Sequence, residues 1–274
     1  MGTEIKTLSA GGSSMDCAII GNGPRPLLMI PGMSLHKVTP QADAVAHAYR
    51  ALLPDFTIYL LDRRDNPEPG CSVADLAGDA AAALEQLGVE SACVLGPSQG
   101  GMIAMQLALE HPQAVKALML SSTIIRQSDT SRKVMRGWKE LSALGSPEQL
   151  NRDVFRRVYS PEYYLRYARA FARLEGAGTP EEMRSFGIMA DAVASFDISA
   201  RVGDISCPVF VTGVENDTVL GGEGTADIVS VLHCRSLVYP GSGHAAYDED
   251  STFPEKVKRF FDDSVLACAV ADWH

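Results

Sequence analysis

Short apolar runs alternate with longer amphipathic stretches along the first 123 residues of the chain. The runs have the length and composition of buried strands, and they occupy residues 16–20, 27–30, 56–61, 91–95 and 115–120. The stretches between them have helical spacing, and they occupy residues 41–53, 73–87 and 102–109. This alternation predicts an α/β fold in which a mostly parallel central sheet is covered by helices on both faces.

Two local signals refine this first half. Residues 21–24 read Gly-Asn-Gly-Pro, which is typical of a tight turn. We therefore expect a hairpin-like turn between the strands at residues 16–20 and 27–30. Gly88 follows the helix predicted at residues 73–87 and is expected to close it as a C-cap.

The pattern changes between residues 124 and 197. No convincing strand is visible there, and the apolar positions predict several helices, broken near residues 145–147, 160–161 and 176–180. Strand signals resume at residues 208–212 and 235–239, and a last helix is predicted from about residue 253 to 261. The chain is thus predicted to have a core of residues 1–123 and 198–274, with residues 124–197 as a helical lid (cap) insert. Such an insert would cover the carboxyl edge of the sheet, where ligands bind in sheets of this kind.

One segment carries the strongest chemical signal. Residues 96–101 read Gly-Pro-Ser-Gln-Gly-Gly and lie between a predicted strand and a predicted helix, which is the context of a nucleophile elbow. The sharp turn forces the serine into a strained backbone conformation, and small neighbours keep the crowded turn free of clashes. The helix N-terminus behind it favours developing negative charge. We interpret Ser98 as a nucleophile.

A serine hydroxyl needs a base to take its proton and an acid to orient that base. The chain order known for this elbow is nucleophile, acid and histidine. His244 follows the last predicted strand in a Gly-Ser-Gly-His loop, and we assign it as the base. The loop after residues 208–212 offers two carboxylates, Glu215 and Asp217, either of which could orient the imidazole. Asp217 is the preferred acid and Glu215 the alternative.

Two backbone N–H groups are needed to hold the oxyanion that forms during acyl transfer. The first is expected from Gln99, directly after the nucleophile. The second is expected from Met33, in the loop after the strand at residues 27–30, where Gly32 allows close backbone approach.

Composition limits the partners of the chain. The formal net charge of −10 argues against a nucleic-acid binder, and no apolar stretch reaches the roughly 18–20 residues of a membrane span. The six cysteines are widely spaced and form no zinc motif, and no cofactor motif is found either. The first residues lack the basic start and apolar centre of a signal peptide. We expect a cytoplasmic protein that acts on a small molecule without metal or cofactor; the sequence gives no indication of its oligomeric state.

The predicted insert supplies candidates for the substrate pocket. Nine of the 19 aromatic residues fall within it, and helical packing accounts for most of them. Trp138, Tyr159 and Tyr163 are the candidates to face the substrate. The insert also carries a small excess of basic residues, for which solvated helix faces are the simpler explanation. The sharper hypothesis is that Arg132, Arg136 or Arg169 favours a substrate with an anionic end.

These segments together resemble the α/β-hydrolase superfamily, in particular its lid-bearing serine esterases. The resemblance rests on Pro31-Gly32, Asp62-Arg63 and residues 96–101, 213–217 and 243–244. It implies a serine hydrolase that cleaves a carboxylic ester, thioester or lactone of a small, partly apolar substrate through an acyl-enzyme. Pro31 replaces a histidine found in many relatives, and Pro97 replaces a polar or aromatic residue. The alternatives are an acyltransferase or a C–C bond hydrolase with the same triad, or a non-catalytic ligand-binding protein on this fold.

Overall fold

A single eight-stranded sheet organises the molecule. The computed structural model describes residues 3–10 and 12–271 of the chain. The strands are β1 (Thr3–Ala10), β2 (Ser13–Ile20), β3 (Arg25–Met29), β4 (Phe56–Leu61), β5 (Ala92–Pro97), β6 (Val115–Ser121), β7 (Val209–Val214) and β8 (Arg235–Tyr239). Their order is β1-β2-β4-β3-β5-β6-β7-β8. Strands β3 to β8 run parallel to one another, and β2 pairs antiparallel with both of its neighbours, β1 and β4, which confirms the mostly parallel sheet.

Helices follow the strands and pack on both faces of the sheet. They are α1 (Ala42–Ala48), α2 (Val73–Gln86), α3 (Gln99–Glu110), α4 (Asp129–Ala143), α5 (Pro147–Val158), α6 (Pro161–Arg166), α7 (Ala168–Glu175), α8 (Pro180–Ala194), α9 (Gly224–Leu232), α10 (Ala246–Glu249) and α11 (Phe253–Ala271). Successive strand residues enter opposite apolar layers, since Val94 packs in the layer of α2 and α3 while Leu95 packs in the layer of α11. Both faces of the sheet are therefore buried, as parallel sheets require.

The N-terminal edge of the sheet differs from the prediction. The expected hairpin between β2 and β3 is wrong, because β4 lies between them and β2 instead forms a hairpin with β1. Strand β1 was not predicted at all. It is an edge strand in which most side chains are accessible and Leu8 is the buried one, so the hydrophobic alternation that signals a strand is missing.

The helices α4 to α8 all lie between β6 and β7, within the predicted insert of residues 124–197. An isolated antiparallel bridge between Arg126 and Asp197 joins the two ends of this insert. Ser128 and Thr179 cap α4 and α8 with capping boxes, and three of the helices begin with proline, at Pro147, Pro161 and Pro180. The breaks read from the sequence are therefore helix starts.

No helix in the described part of the chain combines the length and the apolar character that crossing a membrane requires.

Candidate active site

Ser98 occupies the turn between β5 and α3 with φ 53° and ψ −124°. A serine in this region stores on the order of 1–3 kcal/mol of backbone strain, which the surroundings must hold in place. The end of β6 does so directly: the Ser98 N–H donates to the Ser121 carbonyl at 2.8 Å, and the Thr123 hydroxyl donates to the Ser98 carbonyl at 2.8 Å. The strained turn is thus fixed by the neighbouring strand.

The glycines around Ser98 are required by close approach of the backbone. A Cβ on Gly96 would overlap the carbonyl oxygen of Gly100, and a Cβ on Gly100 would overlap that of Ile30. The second contact packs the start of α3 against the end of β3. Small residues at these positions let strand, turn and helix meet.

His244 and Asp217 form a buried pair beside the elbow. Nδ1 of His244 lies 2.7 Å from Oδ2 of Asp217, and the two residues are 2% and 8% exposed. The other carboxylate oxygen accepts N–H bonds from Val219 at 2.8 Å and Leu220 at 2.9 Å. Burial opposes ionisation of Asp217, but His244 and these two N–H groups outweigh it and lower the pKa of the carboxyl. The pair can therefore hold an imidazole in one orientation with an ionised partner.

Glu215, the alternative acid, has a different environment. Its side chain is exposed, whereas Asp217, two residues later on the same loop, is buried against the imidazole. Of these two carboxylates, only Asp217 has a hydrogen bond to His244 in the structure. The geometry therefore favours Asp217.

The helical insert braces the loop that carries His244. The Ala245 N–H donates to the Val158 carbonyl at 2.8 Å. Glu249 Oε1 accepts from the Ser160 N–H at 2.6 Å and from the Gly243 N–H at 3.2 Å, so one carboxylate joins both segments. The position of the imidazole thus depends on the insert as well as on the sheet.

A cavity of about 470 Å³ lies between the carboxyl edge of the sheet and the insert. Ser98, His244, Gln99 and Met33 all line it, so the structure brings the predicted nucleophile, base and oxyanion donors to one space. Among the described residues, no hydrogen bond joins the Ser98 hydroxyl to the imidazole. In unliganded enzymes this contact is often long and tightens when substrate binds. The described residues contain no cluster of His, Cys, Asp and Glu that could hold a metal ion.

Arg63 fixes the loop that carries Met33 to the start of α3. Its Nε donates to the Gln99 side-chain carbonyl at 2.7 Å, and its Nη2 donates to the carbonyls of Pro31, at 3.0 Å, and Gly32. Burial lowers the pKa of this guanidinium to about 10, yet it stays charged at neutral pH. One side chain thereby sets the spacing between the two predicted oxyanion donors.

The candidates for the substrate pocket divide into residues that line the cavity and residues that do not. Trp138 and Tyr159 line it. Tyr163 does not: it stacks on Tyr159 at 5.0 Å between ring centroids and packs against Tyr167 on the other side. Tyr163 lies in α6, where its ring packs among the tyrosines of the insert and does not reach the cavity.

The three arginines that were expected to favour an anionic substrate do not lie at the cavity wall. Arg132, Arg136 and Arg169 are exposed, and none of them lines the cavity. For the two arginines of α4 the reason is the amphipathic character of this helix, which turns Met135 and Trp138 towards the cavity and the arginines towards solvent.

Sequence reasoning also missed several residues of the cavity wall. Tyr49, Tyr247 and Asp248 line the cavity although none of them was a candidate. Tyr247 and Asp248 lie three and four residues after His244, in α10, and this proximity to the predicted base is the one signal that could have found them.

The family comparison agrees with this fold. The family model described as alpha/beta hydrolase fold matches residues 25–251. The chain therefore belongs to the alpha/beta hydrolase fold family.

Individual relatives are distant but cover most of the chain. A "Putative carbamate hydrolase RutD" of Enterobacter cloacae is 25% identical over 74% of this chain and 80% of its own length. A pimeloyl-(acyl-carrier protein) methyl ester esterase of Nitrosomonas europaea is 25% identical over 91% of this chain and 99% of its own length.

Solved structures extend the likeness in fold. An alpha/beta hydrolase, MGS-M2, from a deep-sea metagenome library of the Medee basin superposes with a TM-score of 0.84 at 18% identity, covering 94% of this chain and 97% of the other. The enol-lactonase of Burkholderia xenovorans LB400 superposes with a TM-score of 0.83 at 17% identity, covering 94% and 100%.

Proposed function

We propose that this protein is a serine hydrolase that cleaves a carboxylic ester, thioester or lactone of a small, partly apolar substrate through an acyl-enzyme. The observation that carries the proposal is the strained elbow of Ser98, which opens on the same cavity as His244 and its buried partner Asp217. The relatives named as a carbamate hydrolase and a methyl ester esterase support chemistry at an acyl carbon bonded to oxygen.

In the first half-reaction the Ser98 hydroxyl attacks the acyl carbon. A bond forms between Ser98 Oγ and that carbon while Nε2 of His244 takes the hydroxyl proton. Asp217 keeps Nδ1 of the imidazole protonated and stabilises the imidazolium that results. The carbonyl oxygen becomes an oxyanion, held by the N–H groups of Gln99 and Met33. The bond to the leaving group then breaks, and the imidazolium returns its proton to the departing oxygen or sulfur.

In the second half-reaction water replaces the leaving group. His244 takes a proton from the water as its oxygen bonds to the acyl carbon, and the same oxyanion donors act again. Collapse of this second intermediate breaks the bond to Ser98, which recovers its proton from His244. The products are the carboxylic acid and free enzyme.

The roles of the two oxyanion donors rest on their positions in the chain. Gln99 is the first residue of α3, and the first N–H groups of a helix have no partner within it. Met33 belongs to the loop that Arg63 holds against the elbow. The five helices of the insert act as the lid in this proposal, because several of their side chains close the cavity above Ser98.

The proposal is tested with p-nitrophenyl esters of graded acyl length. The wild-type protein should hydrolyse the shorter members, and Ser98→Ala should lower kcat at least ~10³-fold while the fold persists. Ser230→Ala, on the outer helix α9, is the matched control and should behave as wild type. Adding an alcohol or amine acceptor separates hydrolysis from acyl transfer, because a transferase would release ester or amide in place of acid. Full turnover in Ser98→Ala would contradict the proposal.

A further inference from the structure

The catalytic cavity has an unusual distribution of charge. Its walls are mostly apolar, and within the part of the chain that the structure describes no Lys, Arg or Glu lines it. Asp248 is the only carboxylate among the described residues that line it. A carboxylate in an apolar cavity costs free energy unless a partner offsets its charge.

Asp248 faces the cavity rather than the packed interior. Its side chain is accessible, and its Oδ2 accepts a hydrogen bond from the Tyr159 hydroxyl at 3.0 Å. None of the ion pairs between described residues includes Asp248. The surrounding protein raises the pKa of this carboxyl to about 6, chiefly through loss of hydration. Asp248 is therefore charged at neutral pH and has no ion-pair partner among the described residues.

Three tyrosines line the cavity together with this carboxylate, and one of them, Tyr159, contacts it through its hydroxyl. Tyr49, Tyr159 and Tyr247 all line the cavity, and each lies close enough to Asp248 for its charge to act on the phenol. Tyr49 and Tyr159 directly follow the last residues of α1 and α5, and Tyr247 lies in α10. Aromatic faces attract cations, and a carboxylate among them adds a full opposite charge.

Of these side chains, Tyr247 lies close to Ser98. A Cβ placed on Gly32 would lie 3.3 Å from Ser98 Cβ and 3.6 Å from the Tyr247 hydroxyl oxygen. Tyr247 and Asp248 are consecutive residues, so the carboxylate lies within a small substrate's length of Ser98. A substrate whose acyl carbon is at Ser98 can thus extend a second group towards Asp248.

We infer that Asp248, with Tyr49, Tyr159 and Tyr247, forms a subsite for a protonated or quaternary amine, and that the preferred substrates are acyl esters that carry such a cation. This inference rests on the proposed function. An ammonium group at this position would offset the cost of holding the carboxylate in the cavity, and the tyrosine rings would cover its methyl or methylene groups.

Two isosteric pairs of esters test the inference. In the first pair, butanoyl choline is compared with its neutral analogue, in which carbon replaces the quaternary nitrogen. In the second, the p-nitrophenyl ester of trimethylammonio-butanoic acid is compared with the matching carbon analogue, which places the charge in the acyl part. Because the quaternary nitrogen cannot lose its charge, the ratio of kcat/KM for cationic over neutral ester measures recognition of charge alone.

The wild-type protein should favour the cationic member of at least one pair by ~10-fold or more, as expected for a cation among aromatic rings with a carboxylate partner. Asp248→Asn should reduce this ratio to about 1, whereas Tyr159→Phe, which keeps the ring, should retain most of it. Asp263→Asn, an exposed aspartate on α11, is the matched control and should keep the wild-type ratio. A ratio near 1 in the wild type would overturn the inference. So would an equal loss for both esters in Asp248→Asn, since the residue would then act through His244.

A binding measurement separates failure of this inference from failure of the proposed function. Calorimetry with butanoyl choline is performed on Ser98→Ala, which cannot turn the ester over by the proposed route. The double variant Ser98→Ala/Asp248→Asn should bind it at least ~10-fold more weakly. Equal affinity would overturn the subsite even in an active hydrolase. A protein that binds the cation through Asp248 but hydrolyses none of the esters would retain the subsite and contradict the proposed function.

Discussion

Asp217 and His244 are joined across two loops at the carboxyl edge of the sheet, with Oδ2 of the carboxylate 2.7 Å from Nδ1 of the imidazole. The carboxylate comes from the loop after β7 and the imidazole from the loop after β8, so two adjacent parallel strands bring them together. The remaining oxygen of Asp217 is occupied by the N–H groups of Val219 and Leu220. The carboxylate is therefore fixed independently of the histidine that it orients.

Asp217→Asn should lower kcat by up to ~10⁴-fold while KM changes little, because the amide favours the wrong imidazole tautomer without altering the shape of the site. Glu215→Gln is the matched control from the same loop, and its exposed side chain predicts a loss below ~10-fold. Steady-state kinetics on one activated ester measures both. A reversed order of the two losses would transfer the acid role to Glu215.

Gly100→Ala should destabilise the fold by at least ~1–3 kcal/mol and abolish activity, since the added methyl group would overlap the Ile30 carbonyl at the base of the elbow. Gly137→Ala makes the same chemical change in the interior of α4, where a Cβ meets nothing within 4 Å. That control should gain roughly 0.5–1 kcal/mol from helix propensity. Urea unfolding midpoints compare the two. Equal stability of both variants would mean that α3 and β3 are further apart than described.

Arg63→Lys should lower kcat by about 10²-fold, within the range for loss of an oxyanion donor, because a lysine cannot hold the Gln99 side chain and the Pro31–Gly32 carbonyls at once. Arg63 is a positioning residue here, so kcat should fall more than KM rises. Arg50→Lys, on an exposed turn after α1, is the control and should leave both constants unchanged. A pure increase in KM would indicate that Arg63 binds substrate and does not position the oxyanion loop.

Asp248→Asn should stabilise the protein relative to wild type at alkaline pH, and this stabilisation should disappear at acidic pH. The pKa of this carboxyl is about 6 in the fold against 3.8 when unperturbed, so the native state binds the proton more tightly than the unfolded state. Wild-type stability therefore falls as the pH rises from about 4 to 6, and the full cost of the carboxylate is present above that window. The amide removes this cost. The Tm difference, variant minus wild type, should be positive at pH 8 and vanish near pH 4.

Other ionisable groups also face Asp248. They are an imidazole, a carboxylate and four phenols: His244, Glu249, Tyr49, Tyr159, Tyr163 and Tyr247. Burial raises the pKa of all four phenols, which stay neutral throughout this range. The Tm difference therefore measures the ionisation of Asp248 together with its electrostatic coupling to the neighbouring imidazole and carboxylate. A Tm difference that does not vary with pH would contradict the raised pKa of Asp248.

The sequence predicted most of what local pattern determines. The parallel strands are continuous apolar runs, and the elbow of Ser98 combines strand, glycines and helix within ten residues, so both are visible without tertiary information. The edge strand β1 could not be found this way because it buries little more than Leu8. Because β1 was missing from the prediction, the hairpin was assigned to the turn at residues 21–24. In the structure the hairpin is formed by β1 and β2.

The parts of the site that escaped prediction are those determined by packing of distant segments. Arg63 forms a hydrogen bond with Gln99, which is 36 residues away in the sequence, and Asp248 forms one with Tyr159, which is 89 residues away. Neither contact has a sequence signature, because an arginine after a strand or an aspartate after a histidine is ordinarily a solvated residue. Tyr163 was misplaced for the same reason, because helical spacing alone does not show which aromatic rings of the insert face the cavity.

Covalent labelling with a fluorophosphonate tests the central claim, that Ser98 is an activated nucleophile, most directly. The reagent phosphonylates a serine whose proton is taken by a neighbouring base, and no knowledge of the substrate is needed. The account predicts one added phosphonyl group per chain, located by mass spectrometry on the peptide that contains Ser98, and retained in Ser230→Ala. Labelling should be absent in Ser98→Ala and strongly slowed in Asp217→Asn. Wild-type labelling of Ser98→Ala, or a label found on another serine, would contradict the account.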